Sequence, residues 1–466
     1  MTSLEWRQGE RMEVQAIFEK QRSFYLTGKT KEVSFRLESL LKLQHAIKRY
    51  EPDISTALKK DLHRSEFEAY LTEIGPLLDE IKYVSKHLKA WAKPKKVATP
   101  QVLLGSKSYV YPEPYGVTLI ISPWNYPCNL ALMPLVGAIA AGNCAVLKPS
   151  EWAPHTSRVI VQMIKGIFED EYVAVIEGDV KTSQALLELP FDHIFFTGSV
   201  QVGKIIMEKA AKTLTPVTLE LGGKSPAIIE KDANMELAAR RISWGKWMNA
   251  GQTCVAPDYV LVHEERKEAL LAQLKHEIER FYGDNPLISE NYGHIVNERH
   301  FARLEKFLQD GEIAIGGKAD PEHCVIEPTV LTGVSWEAPV MQEEIFGPIL
   351  PVFTFAELDD ALATIRKQDK PLALYFFSED EKKQEKVIQA LPFGGGCIND
   401  TIIHLGNPHL PFGGVGTSGL GHYHGKYSFD CFSHKKAIVK QTTQFDIPFR
   451  YPFKKNALNW LKKFYG

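Results

Sequence analysis

Through the first 95 residues apolar positions recur every three or four residues, with charged residues between them. Phe35, Leu37, Leu40, Leu41, Leu43 and Ile47 make one such stripe; Leu77, Ile81, Val84 and Leu88 make another. That spacing gives each segment one apolar face and predicts helices. Pro94 stops the last of them, since proline offers no N–H to a helix. Residues 109–114 read as an exposed extended arm or hairpin, because Pro112 and Pro114 argue against a central strand. From residue 116 the period changes. Short apolar runs at 117–121, 144–147, 173–176 and 193–196 alternate with helical stretches at 129–141, 157–169 and 182–189. This alternation predicts βαβ units and a parallel sheet. A second series follows, with strands at 226–229, 259–262 and 373–377. Its helices are expected at 233–248, 265–281, 298–308, 357–368 and 380–391. It predicts a second α/β domain. Glycines at 394–396 and 413–421 read as loops.

The composition fits this picture. The chain has 466 residues, 44% of them hydrophobic and 24% charged, as in an ordinary soluble globular protein. That length suits two large domains or three smaller ones. The net charge of -2 lacks the basic excess of a nucleic-acid binder, so no nucleic-acid partner is expected. The six cysteines lie at least 16 residues apart, with no paired spacing for a zinc ribbon and too few for a disulfide framework. A reducing, cytoplasmic setting is expected. The N-terminus is charged from its fifth residue and shows no secretory h-region. The longest apolar run, 130–141, has 12 residues and contains Pro134 and Gly137. A membrane span needs about 20, so this run predicts a buried helix.

Four short stretches carry candidate chemistry, each with a plainer alternative. In Phe195-Phe-Thr-Gly-Ser-Val-Gln-Val-Gly-Lys204 a strand ends at a Gly-Ser turn and a helix begins near Val202. Backbone N–H groups at a helix start can hold phosphate. The stretch lacks the Ser or Thr a P-loop needs after its lysine, having Ile205 instead, and it is not GxGxxG. It is either a phosphate cradle or a plain strand-turn-helix corner. Glu220, between two leucines in Leu219-Glu-Leu-Gly-Gly-Lys224, is either a base with a raised pKa or a surface residue at a strand end. Cys254, in Gly251-Gln-Thr-Cys-Val-Ala-Pro257, is a nucleophile or a small buried apolar residue. Asn125, in Ser122-Pro-Trp-Asn-Tyr-Pro127, could donate its amide to an oxyanion or merely build a turn. His404, His409, His422 and His424 cluster in sequence, but no carboxylate or cysteine partners stand at ligand spacing, so no metal site is expected.

Taken together these stretches resemble the aldehyde dehydrogenases. The chain carries, in order, Ser122-Pro-Trp-Asn-Tyr-Pro127, Leu147-Lys-Pro-Ser-Glu151, Phe196-Thr-Gly-Ser199 with Gly203, Leu219-Glu-Leu-Gly-Gly-Lys224, Gly251-Gln-Thr-Cys254, Glu343-Glu-Ile-Phe-Gly-Pro348 and Pro411-Phe-Gly-Gly-Val-Gly416. The matches span about 300 residues. Each alone is a weak signal; their order is what makes the resemblance specific. It implies the family's α/β fold: a Rossmann-type cofactor domain over 1–221, a catalytic domain over 222–415 and a C-terminal segment over 416–466. Within it, 104–113 would be an oligomerisation arm, pairing as a strand with the segment at 434–440. It implies oxidation of an aldehyde to a carboxylic acid with NAD, or with NADP. Cys254 would be the nucleophile, Asn125 the oxyanion donor and Glu220 the base that activates water. Lys148 and Glu151 would serve the adenosine ribose, Gly198, Ser199 and Gly203 the pyrophosphate, and Glu344 and Phe346 the nicotinamide and its ribose. Trp124 and Leu221 would line the same cofactor site. An acidic residue at the ribose favours NAD, although members of this branch also use NADP. The rival enzyme readings are a CoA-acylating dehydrogenase and a thiol esterase; the non-enzyme rival is a structural protein that keeps the fold.

The stretches Cys254-Val-Ala-Pro-Asp-Tyr-Val260 and Gly425-Lys-Tyr-Ser-Phe-Asp-Cys-Phe-Ser-His434 resemble the class 3 branch, the fatty and aromatic aldehyde dehydrogenases. The branch implies a homodimer and medium- to long-chain aliphatic or aromatic aldehydes. The tail, residues 445–466, sets five basic residues against Asp446, a side-chain charge of +4, and interleaves them with aromatic residues. Ala457, Trp460, Leu461 and Phe464 fall on one face of a predicted helix. Either that helix packs over the substrate funnel or the partner subunit, or it makes a weak peripheral contact with an anionic membrane.

Overall fold

The computed structural model describes residues 3–447, 450, 451 and 453–465. The helical start of the chain forms Ser3–Leu26, Val33–Leu62 and Gly75–Trp91. Leu40, Leu43, Ile47, Leu77, Ile81, Val84 and Leu88, the apolar stripes of the sequence, are all buried. Leu37 and Phe35 pack against the same core at its margin, while Leu41 points out.

Beneath these helices lies a six-stranded sheet. Its order is Gly419–Leu420, Val217–Glu220, His193–Thr197, Val117–Ile121, Cys144–Lys148, Val173–Val175. All pairings are parallel except that of the two-residue edge strand Gly419–Leu420. The chain runs outward from Val117–Ile121 through Cys144–Lys148 to Val173–Val175, then returns to His193–Thr197 on the other side. The sheet therefore has a topological switch point between Val117–Ile121 and His193–Thr197, where doubly wound sheets bind ligands at the carboxyl ends of their strands. Ser122-Pro-Trp-Asn125 and Gly198-Ser199 follow these two strands directly. The helix after the turn starts at Val200, two residues earlier than the sequence suggests, because Ser199 caps it.

The second sheet has seven strands in the order Glu312–Ile315, Thr329–Thr332, Ile349–Phe355, Tyr259–His263, Pro226–Ile229, Ala373–Phe377, Gly395–Ile398. Only the Glu312–Ile315 edge is antiparallel. Two glycine-rich stretches expected to be loops are strands. At Gly395–Ile398 the backbones run so close that a Cβ on Gly396 would collide with the Leu374 carbonyl. Glycine there marks a close approach of two chains rather than a turn. Gly419–Leu420 likewise pairs with Leu219 and Glu220.

The arm departs from expectation too. Ser106–Pro114 is the middle strand of a three-stranded antiparallel sheet, between Lys95–Val97 and Ser433–Gln441. Lys95–Val97 covers only Ser108, Tyr109 and Val110. Pro112 and Pro114 stand beyond it, where one side of the strand has no partner and a missing N–H breaks no ladder there. The tail contains the helix Ala457–Tyr465. Ala457 is buried and Leu461 half-buried, whereas Trp460 and Leu458 are exposed, so Trp460 leaves the face assigned to it. Phe449 and the side chains of Phe464 and Tyr465, also counted in that tail, lie outside the described residues. Among the described residues no helix is long and apolar enough to cross a membrane.

Candidate active site

The nucleophile candidate sits on a distorted loop. Helix Met235–Trp247, capped by the Asn234 side chain, runs into three successive left-handed residues, Asn249 (φ 53°), Ala250 (φ 51°) and Gly251 (φ 75°). Non-glycine residues in this region each cost on the order of 1 kcal/mol or more and persist only where their surroundings impose them. At Gly251 a Cβ would collide with the Gly347 carbonyl. Hydrogen bonds hold the rest. Asn249 Nδ2 donates to the carbonyls of Asn125 (2.9 Å) and Gln252 (3.1 Å), and Asn249 N–H donates to Glu68 Oε1 (2.8 Å). Gln252 Nε2 donates to the Asn249 and His294 carbonyls, and its Oε1 accepts from Val296 N–H. Tyr126 OH and Thr253 Oγ1 share a hydrogen at 2.5 Å.

Cys254 emerges half-buried from this loop. Burial, then the acidic groups of Glu344 and Glu220, push its thiol well up, while its own backbone N–H and that of Val255 pull the other way. The thiolate is the form that attacks, so the thiol must first lose its proton.

Glu220 ends strand Val217–Glu220 and is 2% exposed, which removes the surface reading. Neither carboxylate oxygen has a hydrogen-bond partner among the described residues, and burial holds the acid well above the carboxylate range. A Cβ on Gly413 would stand 3.1 Å from Glu220 Oε1, so the Pro411-Phe-Gly-Gly stretch closes over it. An unpartnered buried carboxyl costs folding free energy and is retained where its proton has work to do.

Asn125 is also buried. One amide N–H goes to the Gln252 carbonyl at 3.0 Å, tying the carboxamide to the loop that carries Cys254. Next to it, the Trp124 ring meets Phe346 edge-on at 5.3 Å between centroids and touches His300 at the same distance. Phe346 is itself left-handed (φ 48°).

The cofactor candidates gather at the switch point of the first sheet. Gly198 N–H donates to the Glu220 carbonyl at 3.0 Å. A Cβ on Gly198 would collide with the Phe196 ring, and one on Gly203 would meet Leu221 Cδ2 at 2.8 Å. Ser199 Oγ accepts from Val202 N–H at 3.4 Å and opens the twelve-residue helix Val200–Ala211. The missing side chains form a cradle at a helix start, which suits a pyrophosphate. Lys148 is buried to its Nζ, which donates to Glu151 Oε2 and to the Pro149 carbonyl, both at 2.9 Å. Glu344 lies against Gly222, where a Cβ would strike its carboxylate, and the nearby Gly223 backbone favours its anion. Burial, then Asp258, pushes its acid up to about 8. These donors and gaps fit a dinucleotide.

Two residues of this site escaped the sequence reading. Lys246 is fully buried, its Nζ lacks a partner among the described residues, and burial pushes it down to about 8. Its signal is a lysine inside the apolar stretch Ser243-Trp-Gly-Lys-Trp-Met248. Arg64, whose side chain is fully buried, has no local signal. Cys128 is buried with its thiol pushed up, and the His404 ring meets Cys397 Sγ at 3.4 Å. Among the described residues no group of three His, Cys, Asp or Glu could hold a metal.

A doubly wound sheet whose turn suits a dinucleotide and a half-buried thiol flanked by a buried acid and a buried carboxamide are the features of a dinucleotide-linked oxidoreductase. The chain belongs to the aldehyde dehydrogenase family, whose description it matches over residues 2–438. It is 51% identical over 450 residues to 4,4'-diaponeurosporen-aldehyde dehydrogenase of Staphylococcus aureus, covering 96% of this chain and 98% of that one. It is 46% identical to aldehyde dehydrogenase family 3 member B1 of Rattus norvegicus, covering 90% of this chain and 89% of that one. With the dimeric NADP-preferring aldehyde dehydrogenase of Mus musculus it shares 45% identity over 91% of this chain and 94% of that one. The substrate-bound structure of Staphylococcus aureus AldH superposes with a TM-score of 0.94 at 49% identity, covering 100% of both chains. The protein is an enzyme that oxidises aldehydes with NAD or NADP, and its relatives are of the class 3 branch.

Proposed function

We propose that Cys254 attacks the aldehyde carbon and that Glu220 later activates the water that releases the acid. The single observation that carries this division of labour is Glu220, buried with both oxygens unpartnered among the described residues and within electrostatic reach of the thiol. A water molecule at the half-buried thiol takes the Cys254 proton, and the thiolate sulfur bonds to the carbonyl carbon as the C=O π pair moves onto oxygen. The oxygen becomes an alkoxide, which accepts from the Cys254 backbone N–H and from the second amide N–H of Asn125. One such donor contributes about 3 kcal/mol to the barrier reduction. The nicotinamide, when bound, supplies the acceptor for the hydride. The resulting thioester on Cys254 is a good acyl donor. Glu220 takes a proton from water, the hydroxyl oxygen bonds to the acyl carbon, the C–S bond breaks, and the acid leaves.

Gly198, Ser199 and Gly203 would hold the pyrophosphate, Lys148 and Glu151 the adenosine ribose, and Glu344 the nicotinamide ribose. Trp124, Leu221 and Phe346 would line the ring's site. The cofactor domain comprises 1–221 and the catalytic domain 222–415. Residues 416–466 return Gly419–Leu420 to the first sheet and Ser433–Gln441 to the arm. The subunit forms a homodimer through the sheet of Ser106–Pro114 and Ser433–Gln441. The setting is cytoplasmic. The tail, with Phe453, Leu458 and Trp460 exposed among lysines, brings the enzyme to anionic membranes in a salt-sensitive way. The substrates are medium- to long-chain aliphatic or aromatic aldehydes, and the name of the Staphylococcus aureus relative recommends its aldehyde as the first long substrate to try.

The test is turnover with aldehydes from acetaldehyde to long alkanals and benzaldehyde, with each cofactor. The expected kcat/KM rises with apolar size, and CoA has no effect. A preference for acetaldehyde would overturn the substrate class, and CoA-dependent turnover would replace hydrolysis by acyl transfer.

A further inference from the structure

Arg64 follows the left-handed residue His63, which ends helix Val33–Leu62, and its side chain is fully buried. It serves neither the nucleophile nor the cofactor cradle directly, yet it touches both the Asn125 turn and the loop that leads to Cys254. Nη2 donates to the Asn125 carbonyl. Nε donates to Asn249 Oδ1 at 3.2 Å. Nη1 donates to Glu73 Oε1 at 2.6 Å, and Nε lies 3.5 Å from Glu68 Oε1. The guanidinium also stands 4.4 Å over the Tyr126 ring, whose hydroxyl meets Thr253 beside Cys254.

The acids it holds are shared with the same loops. Glu73 Oε2 accepts from Asn129 N–H at 2.6 Å, and Glu68 Oε1 accepts from the N–H of left-handed Asn249 at 2.8 Å. Asn249 in turn binds the carbonyls of Asn125 and Gln252. Three chain segments thus meet at one cation: the N-terminal helices, the turn after Val117–Ile121, and the loop leading to Cys254. Only a planar fork reaches these acceptors at once; an ammonium on a lysine stem does not.

A network of this kind far from chemistry would be read as fold stability. Here the carbonyl that Arg64 grips belongs to Asn125 itself, and the left-handed turn it supports sets where the Cys254 backbone N–H points. We propose that Arg64 is a positioning residue for aldehyde oxidation: it locks the Asn125 carboxamide and the Asn249–Cys254 loop at one spacing, so that both oxyanion donors converge on the same point. The proposal rests on Asn125 and the Cys254 N–H acting as those donors. Misplacing catalytic groups by about 1 Å costs on the order of 100-fold in rate.

The experiment uses the full-length enzyme with Arg64→Lys, Arg64→Met, Asn125→Ala and the Arg64→Lys/Asn125→Ala double variant. Four quantities are read per folded protein: aldehyde kcat, hydrolysis of a 4-nitrophenyl ester without cofactor, NAD dissociation constant, and Tm. The ester arm needs the thiol and the oxyanion donors but no hydride acceptor. Expected for Arg64→Lys are parallel falls of about 100-fold in aldehyde kcat and ester hydrolysis, with NAD binding within about twofold. In the double variant Arg64→Lys should cost little beyond Asn125→Ala, since the two act as one unit. A lowered Tm with both rates within about threefold of wild type makes Arg64 structural only and overturns the proposal. Full additivity in the double variant overturns it as well. Undiminished rates in Asn125→Ala would instead sink the oxyanion reading on which it rests. Should neither Arg64 variant fold, Glu73→Gln keeps the shape and weakens the hold on Nη1. Both rates should then fall at least about fivefold with NAD binding retained, and unchanged rates overturn the proposal.

Discussion

The turn at Gly198-Ser199, which we propose holds the cofactor, and the loop at Asn249–Cys254, which we propose carries the nucleophile, are shaped by different means. The cofactor turn relies on absence. Two glycines leave room where side chains would strike Phe196 and Leu221, and one serine caps the following helix. The nucleophile loop relies on enforcement. Three left-handed residues in a row are held by the buried side chains of Arg64, Glu68 and Gln252 and by the Asn125 carbonyl. A binding cradle tolerates a loose fit, because the ligand supplies part of the order. A nucleophile and its oxyanion donors must be ordered before the substrate arrives.

The comparison breaks most sharply at the sulfur. Cys254→Ala is expected to abolish aldehyde-dependent NAD(P)H formation, by at least about 1000-fold. Cofactor affinity, measured by protein fluorescence, should stay within about twofold. Turnover above a tenth of wild type would mean that another group attacks the aldehyde.

Adding one methyl group to each region sharpens the contrast. At Gly251 the new Cβ meets backbone, the Gly347 carbonyl, in a left-handed conformation; at Gly203 it meets the end of the Leu221 side chain, which can turn away. Gly251→Ala should cost roughly 2–4 kcal/mol of stability by thermal or denaturant unfolding and remove most of kcat. Gly203→Ala should raise the KM for cofactor about tenfold with kcat little changed. Equal effects on kcat would show that the cradle is as tightly specified as the nucleophile loop.

The smallest effect concerns pH. Glu344, whose acid is held up to about 8 by burial and by Asp258, is neutral below that value and ionises above it. As an anion it is the stronger acceptor for ribose hydroxyls. The cofactor KM should therefore fall about threefold as pH rises from about 7 to about 9, and Glu344→Gln should flatten that slope. A KM that rises with pH in the wild type would reverse the role given to Glu344.

Much of the first sheet was readable because buried parallel strands are short apolar runs between amphipathic helices. The strand-turn-helix corner at Gly198-Ser199 was readable for a related reason: its glycines and capping serine are local signals. What stayed hidden involved contacts between distant parts of the chain. The strands Gly395–Ile398 and Gly419–Leu420 look like loops because glycine there answers a neighbouring backbone, not a turn. Pro112 and Pro114 seemed to exclude a middle strand, yet the shorter neighbour leaves them uncovered. Glu220 was recognisable as an acid between leucines, but its lack of partners depends on how the chain near Gly413 closes over it. Arg64 lies 61 residues from Asn125 and 185 from Asn249, and nothing in its own neighbourhood announces either contact.

The division of labour between sulfur and acid is tested most directly by trapping the intermediate. Glu220→Gln keeps the size of the side chain and removes the proton acceptor. Mixed with aldehyde and cofactor and quenched in acid, it should release one burst equivalent of NAD(P)H and then slow. Intact-mass and peptide mass spectrometry should find the acyl group on Cys254, accumulating to most of the protein, whereas the wild type shows little. Slow turnover with neither a burst nor an adduct on Cys254 would contradict the account, since it would place the acid before hydride loss and not at hydrolysis of the thioester.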